Sequence, residues 1–375
     1  GGNSTPSASA AAAPDMTIRF SPTMFTTVKD AAGLTQTAIA DYVGLSQASV
    51  SKVENGLEEP TPQFVQQVSE LAGVAPEIFY QHADLLPGTL FDIFHKKRIT
   101  LPAKPLKAAN AQAQLTRLYV GHLLRTFDVP VTLPFPNLNV DQHESPSEVA
   151  ALTRAIWQVP NGPFPDLVKV VEATGTPVIL IDLGHEKLRA MSMPGAKGYG
   201  THIILLNDRL PPSAQRFALA HEIGHLVMHE GVASEDMEKE ADTFASALLM
   251  PENDIAPKLR NVRFRDLGPL KAYWRVSLAA LIYRANALGL ITERHARTLY
   301  MELNKLPEGR KREPGEFARE EPALVRHVID AYAGQGYSIS ELCQLMVVTE
   351  AEFRRRFLGE TPTEGRLRLV KGASR

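Results

Sequence analysis

Residues 215–228 read QRFALAHEIGHLVM, and residues 237–251 read MEKEADTFASALLMP. These two runs decide what the middle of the chain folds into. In the first, apolar residues recur at helical spacing (Phe217, Leu219, Ala220, Ile223, Leu226, Val227), so the segment reads as a helix buried in a core. Pro211, Pro212 and Ser213 supply its start, with the prolines near the first turn. His221 and His225 stand four residues apart on it. On a helix such positions lie about 40° apart around the axis and about 6 Å apart along it, so both imidazoles can reach one ion. Glu222, beside the first histidine, is within reach of a water at that ion. The second run is a further apolar helix, from Met237 to about Met250, that stops before Pro251.

A catalytic zinc needs three protein ligands and an open fourth position. Two glutamates compete for the third place. Glu238 has Asp242 one turn later on the same face. There the Asp242 carboxylate can hydrogen-bond the far nitrogen of a ligating histidine and fix its tautomer. Glu240 has no such companion at helical spacing. The expected centre is therefore Zn2+ held by His221, His225 and Glu238, with Glu222 as general base, Asp242 behind a histidine, and Glu240 as the fallback ligand. A bare His-Glu-x-x-His also arises by chance on helices that hold no metal. The apolar helix around this one and the carboxylates on the next helix weigh against that reading.

Residues 176–251 resemble the ImmA/IrrE-type bacterial metallopeptidases, through an apolar strand, then HEIGHLVMH (221–229), then EKEADTFASALLMP (238–251). Leu248–Pro251 is the most characteristic part, and the Glu-x-x-Ala-Asp segment is also similar to the thermolysin-like zinc proteases. The resemblance implies an α+β, zincin-like domain that hydrolyses peptide bonds, with the same three ligands and the base at Glu222. His229, which recurs at that place in relatives, reads as a helix-end or pocket residue. A metzincin would carry its third histidine where this chain has Gly231. In the implied chemistry zinc polarises the scissile carbonyl, and Glu222 passes a proton from the attacking water to the leaving amine. Tyr199, His202, Tyr283 and Arg284 all remain open as the group that holds the oxyanion. Gly200–Asn207 (GTHIILLN) reads as a strand followed by a turn. In zinc peptidases of this layout an edge strand pairs with extended substrate, which makes Gly200, Thr201 and His202 candidate substrate-strand positions. An ordinary core strand is the alternative.

A second motif lies upstream, in Leu34–Phe79. Thr35 caps a short helix with Ala38, Ile39 and Val43 inward, and Gly44 permits a sharp turn. Ser46 caps a second helix, from Gln47 to about Asn55, with Val50 and Val53 facing back; Gly56 ends it. Helix, glycine turn and helix is the plan of DNA-binding helix-turn-helix units. Residues 18–82 resemble the Xre or phage-repressor-like domain, an all-α unit of five helices. On that resemblance Gln47, Ala48, Ser49 and Lys52 face base edges of double-stranded DNA, while Gln36 and Asn55 contact phosphate. Charge argues the other way. From Ile18 to His82 the only basic residues are Arg19, Lys29 and Lys52, against Asp30, Asp41, Glu54, Glu58, Glu59, Glu70 and Glu77. Duplex binders ordinarily present a basic surface. The next stretch reverses the sign, with Lys96, Lys97, Arg98, Lys104, Lys107, Arg117 and Arg125.

Composition bounds the rest. A chain of 375 residues has room for two or three domains. A formal net charge of −2 gives no global steering toward nucleic acid or membrane. The lone Cys343 excludes an internal disulfide, fits the cytoplasm, and sits among Ile339, Leu342, Leu345 and Met346 as a packed thiol. No apolar run is long enough to span a bilayer, so no membrane partner is expected. The expected organisation is multidomain. A disordered tail or cloning remnant covers 1–17, with Met16 as the natural start, and the helix-turn-helix domain covers 18–82. A helical connector with a proline-rich linker (Val129–Asn139) covers 83–145, the peptidase domain 146–306, and a helical C-terminal region 307–375. Within that last region Ser338-Ile-Ser-Glu and VVTEAEF have the look of a helix-turn-helix, whose Arg354, Arg355 and Arg356 read as a solvated face. No internal repeat is evident.

The expected function is a homodimeric DNA-binding regulator fused to a zinc endopeptidase that cleaves a repressor-like protein in a stress or mobile-element response. Two alternatives stand beside it. One is a transcription factor that keeps the peptidase fold as a metal or ligand sensor, and the other is a toxin-antitoxin or defence-locus regulator.

Overall fold

The structure is a computed structural model, and it describes residues 19–81, 102–195, 201–229, 236–307 and 313–360. Four helices open the chain: α1 (Pro22–Ala31), α2 (Gln36–Val43), α3 (Gln47–Glu54) and α4 (Pro62–Ala72), followed by a 3-10 turn, Pro76–Tyr80. Each of the four starts where a hydroxyl takes over an orphan backbone N–H. The side chains of Ser21, Thr35, Ser46 and Thr61 all accept from the amide three residues ahead. Gly44 holds the left-handed turn between α2 and α3, with φ of 73°. Ile39, Ala40, Val50 and Val53 face inward. Ala38, expected among them, is exposed, and Ala40 takes its place on the inward stripe.

The next helix, α5 (Ala103–Arg125), packs against α1. Gln112 Nε2 donates to the Ala31 carbonyl at the end of α1, 2.9 Å away. After it come α6 (Pro146–Ile156), α7 (Leu167–Glu172) and a three-stranded sheet of β1 (Val178–Ile181), β2 (Ala190–Met193) and β3 (Ile203–Asn207). The strand order is β1-β3-β2, with β3 parallel to β1 and antiparallel to β2. This corrects one expectation. The strand after Gly200–His202 is the central one, paired along both sides, so it offers no free edge to a peptide. Periodicity identifies a strand but says nothing about its neighbours.

All three strands are apolar because the sheet is covered on both faces. Val178, Ala190, Ile204 and Leu206 face one core, shared with α6, α7, α8 (Pro212–Met228) and α9 (Met237–Leu249). The same core takes in α10 (Glu252–Leu259), α11 (Phe264–Trp274), α12 (Leu278–Ala287) and α13 (Glu293–Asn304). Ile179, Ile181, Met191, Met193, Ile203 and Leu205 face the other core. That second core runs without a break through α5, the α1–α4 unit, and the C-terminal helices α14 (Leu324–Gly334), α15 (Ile339–Met346) and α16 (Glu350–Phe357). The layout is a helical N-terminal domain followed by an α+β domain with a small sheet and many helices. The proline-rich stretch lies against the core as a strap. Leu138 N donates to the Val227 carbonyl at 2.9 Å, and Trp157 Nε1 donates to the Pro134 carbonyl at 3.0 Å.

A second strap, residues 313–323, holds helix starts in place. Pro211, at the start of α8, has no side chain that can cap it, so Glu316 accepts from Ser213 N at 3.0 Å instead. Glu313 accepts from Leu278 N at the head of α12, and Glu320 from Leu167 N at the head of α7. Carboxylates suit these positions because helix N-termini carry partial positive charge. Glu320 also pairs with Arg216 on α8, both side chains being buried. Burial brings the Arg216 guanidinium down to about 9. Glu320→Ala should therefore destabilise the fold by about 3–5 kcal/mol, the usual cost of leaving a buried charge without its partner. Urea unfolding measures this; a loss below about 1 kcal/mol would show that the Phe164 and Pro165 carbonyls suffice for Arg216.

Candidate metal centre

Helices α8 and α9 approach closely at Gly224, the fourth residue of the His-Glu-x-x-His run. A Cβ there would sit 3.0 Å from the Phe244 ring and 3.4 Å from Ala241 Cα. The missing side chain lets α9 lie directly across from the two histidines. His221 Nε2 and His225 Nε2 are 3.0 Å apart. Glu238 Oε1 is 3.1 Å from His225 Nε2, and Glu238 Oε2 is 3.6 Å from His221 Nε2. A tetrahedral zinc with ligands at about 2.0–2.1 Å requires donors about 3.3 Å from one another, so the triangle fits. These three residues are the one group among the described residues placed to hold a metal, and two imidazoles with a carboxylate suit zinc.

The far side of each ring is also engaged. His221 Nδ1 is 2.9 Å from Asp242 Oδ1. His225 Nδ1 is 3.1 Å from His229 Nδ1, and His229 Nε2 is 2.9 Å from Glu240 Oε2. Glu240 thus turns away from the donor triangle. Positions 238 and 240 lie about 200° apart around a helix, so only one of them can face the centre. The Glu240–His229–His225 chain was only half readable from helical spacing, because His229 follows His225 by one turn whereas Glu240 sits on α9. The available signal was the histidine one turn after His225.

Electrostatics follow from this packing. Burial lowers His221, but the Asp242 and Glu238 carboxylates outweigh it and raise the ring to about 10. Burial, then the neighbouring His225 and His221, bring His229 down to about 3, which keeps it neutral. A neutral His229 that donates from Nε2 to Glu240 has Nδ1 free to accept from His225. Burial pushes Glu238 up, yet both histidines hold it well below the usual carboxylate range. Burial, helped by Asp236 and Asp141, raises Glu240.

Glu222 is 2 % exposed, and its Oε2 accepts from Ser192 Oγ at 2.5 Å. Ser192 lies on β2, an edge strand of the sheet. Sequence reasoning missed it; a single hydroxyl within Ala-Met-Ser-Met was the only sign. Thr201 and His202 stand just before β3. His202 Nδ1 accepts from Gly195 N at 3.0 Å, and its ring centroid lies 4.5 Å from that of Phe135. Arg284 is buried and donates to the Met250 carbonyl, closing the end of α9. Tyr283 is half-buried on α12. Tyr199, Gly200 and Gly231 lie outside the described residues.

In the N-terminal unit Gln47, Ala48, Lys52 and Asn55 are exposed on and just beyond α3, and Ser49 is half-exposed. Gln36 Nε2 donates to Glu54 Oε2 at 2.7 Å, while its carbonyl accepts from Gln47. Lys29 is taken up by Glu54, at 2.7 Å. Of the basic stretch beyond, Lys96, Lys97 and Arg98 lie outside the described residues, and Arg117 is buried against the Pro194 carbonyl.

Comparison with known proteins agrees with both units. Residues 171–286 match the family described as the IrrE N-terminal-like domain. The chain carries an IrrE-like domain. Residues 28–79 match the helix-turn-helix family. Two relatives are each called radiation response metalloprotease IrrE. One, from Deinococcus radiodurans, is 34% identical over 106 residues, which cover 24% of this chain and 31% of the relative. The other, from Deinococcus deserti, is 31% identical over 153 residues, 37% of this chain and 52% of the relative. The chain therefore spans about half or less of the curated relatives it matches. Among the described residues no helix is long and apolar enough to cross a membrane.

Proposed function

We propose that the chain is a DNA-binding regulator joined to a zinc-dependent endopeptidase that cleaves a repressor-like protein in a stress response. The observation that carries this reading is the triangle of His221, His225 and Glu238 donors with the Glu222 carboxylate beside it. When bound, zinc would supply a Lewis acid that polarises the scissile carbonyl and acidifies water. His221 and His225 present Nε2 to it, their Nδ1 atoms being held by Asp242 and His229. Glu222 takes the proton of the attacking water and delivers it to the leaving amine nitrogen. Ser192 holds the Glu222 carboxylate on the side of β2, and that edge strand is where an extended peptide would add its backbone. The test is to incubate the zinc-loaded protein with helix-turn-helix regulators from the same genome and identify fragments by mass spectrometry. Intact regulators throughout would count against the reading.

The N-terminal unit would read DNA through α3. Gln47 can pair with adenine and Lys52 can reach the groove, and each chain offers one such helix, so a palindromic operator requires two copies. Gln47→Ala with Lys52→Ala should weaken operator binding by about 1–3 kcal/mol per lost base contact. Fluorescence anisotropy at fixed salt measures it. Unchanged retention would remove α3 from the interface.

A further inference from the structure

The C-terminal helices repeat the frame of the N-terminal unit at one constant offset, contrary to the expectation that the chain holds no repeat. That offset carries the cap Thr35 onto Ser338, Gln36–Val43 onto Ile339–Met346, and the left-handed Gly44 onto the left-handed Val347. It then carries the cap Ser46 onto Thr349 and Gln47–Glu54 onto Glu350–Phe357. The positive-φ glycines flanking the motif coincide as well, Gly33 with Gly336 and Gly56 with Gly359. So do the ends of the preceding helices, Ala31 and Gly334, and the buried pairs Phe25/Val328, Ile39/Leu342, Ala40/Cys343 and Val50/Phe353. Side-chain identity is almost gone, which is why the repeat shows in caps, turns and burial and not in letters.

The reading helix of this second unit has different chemistry. Where α3 offers Gln47 and Ser49, α16 carries Glu350 and Glu352, carboxylates that the phosphate-lined groove repels. Where α3 buries Val53, α16 has Arg356, its side chain 5 % exposed, which stays paired with Glu352 on its own helix and reaches across to α5. Arg356 Nη2 donates to Gln112 Oε1 at 2.6 Å, Nη1 donates to Thr116 Oγ1, and Nε donates to Glu352 at 2.8 Å. The guanidinium also lies over the Tyr119 ring, 5.8 Å from its centroid. Gln112 in turn holds the last turn of α1, and Thr349 Oγ1 donates to the Gly73 carbonyl at the end of α4.

We infer that residues 324–360 are a second helix-turn-helix that does not read DNA but clamps the first unit, through Arg356 and α5, to the sheet face that lines the second core. The clamp leaves each chain with a single DNA-reading helix in a fixed position relative to the peptidase-like domain.

Hydrogen exchange on the full-length protein tests this. Arg356→Ala should speed amide exchange in Pro22–Ala31 and Ala103–Arg125 by roughly tenfold or more, as expected for losing a buried charge-assisted anchor. Protection in Pro212–Met228 should persist. Arg356→Lys should recover only part of the loss, because a lysine cannot reach Gln112 and Thr116 at once. Unchanged exchange in both segments for Arg356→Ala would overturn the clamp. The second arm is Arg355→Glu, a change at an exposed residue bound, among the described residues, to Glu352. It should leave DNA retention as it was, and a loss as large as that from Lys52→Ala would show that α16 reads DNA after all. The exchange result stands even if the first unit proves not to bind DNA, so failure of the clamp and failure of the DNA reading can be told apart.

Discussion

Glu222→Gln is expected to lower peptide-bond cleavage by about 10²–10⁴-fold, the range supplied by a positioned general base. Zinc content and DNA retention should not change. Glutamine keeps the shape of the side chain and can still accept from Ser192 Oγ, so the fold around β2 has no reason to move. It cannot take a proton from water. None of the three metal donors is altered, because Glu222 is not a corner of the triangle. The measurement is a single-turnover cleavage assay with zinc quantified on the same samples. Cleavage within threefold of the parent would remove Glu222 from the chemistry. Regulation that persists in cells despite lost cleavage would favour the sensor reading of the same fold.

His229→Ala is expected to weaken zinc binding by about 10–100-fold, the usual effect of removing the group behind a ligating histidine. Glu240→Gln should produce a smaller loss in the same direction. The effect travels along one chain of atoms. Glu240 accepts from His229 Nε2, which leaves His229 Nδ1 to accept from His225 Nδ1 and so presents His225 Nε2 to the donor triangle. Without His229, the Nδ1–H of a ring 2 % exposed loses the acceptor that sets its angle on that side. Competition against a chelator of known affinity at pH 7 reads the effect directly, and it needs no substrate. Zinc held as tightly as in the parent would show that helix packing alone orients His225.

Much of the site was legible because its chemistry repeats within a turn or two of helix. The spacing of His221 and His225, and that of Glu238 and Asp242, are local facts, and the structure brings all four together. Gly224 also stands in the sequence, but its meaning appears only where Phe244 and Ala241 press against it. In the N-terminal unit, Thr35, Gly44 and Ser46 announce their helix ends directly, since a cap bonds to an amide three residues away.

By itself, then, the sequence determined the helices that carry the candidate metal donors, the caps and turn of the N-terminal motif, and the residue types able to bind zinc. Only the tertiary structure decided that β3 is central and β2 lies at the edge, that Ser192 meets Glu222, and that Glu240 serves His229. It also decided that carboxylates from one strap close three helices, and that Arg356, held by Glu352 on its own helix, reaches across to α5. The division has a physical cause. Hydrogen bonds to caps and the faces of a helix depend on separations of a few residues, whereas these other contacts join positions from about ten to more than two hundred residues apart, whose meeting depends on how two apolar cores pack against one sheet.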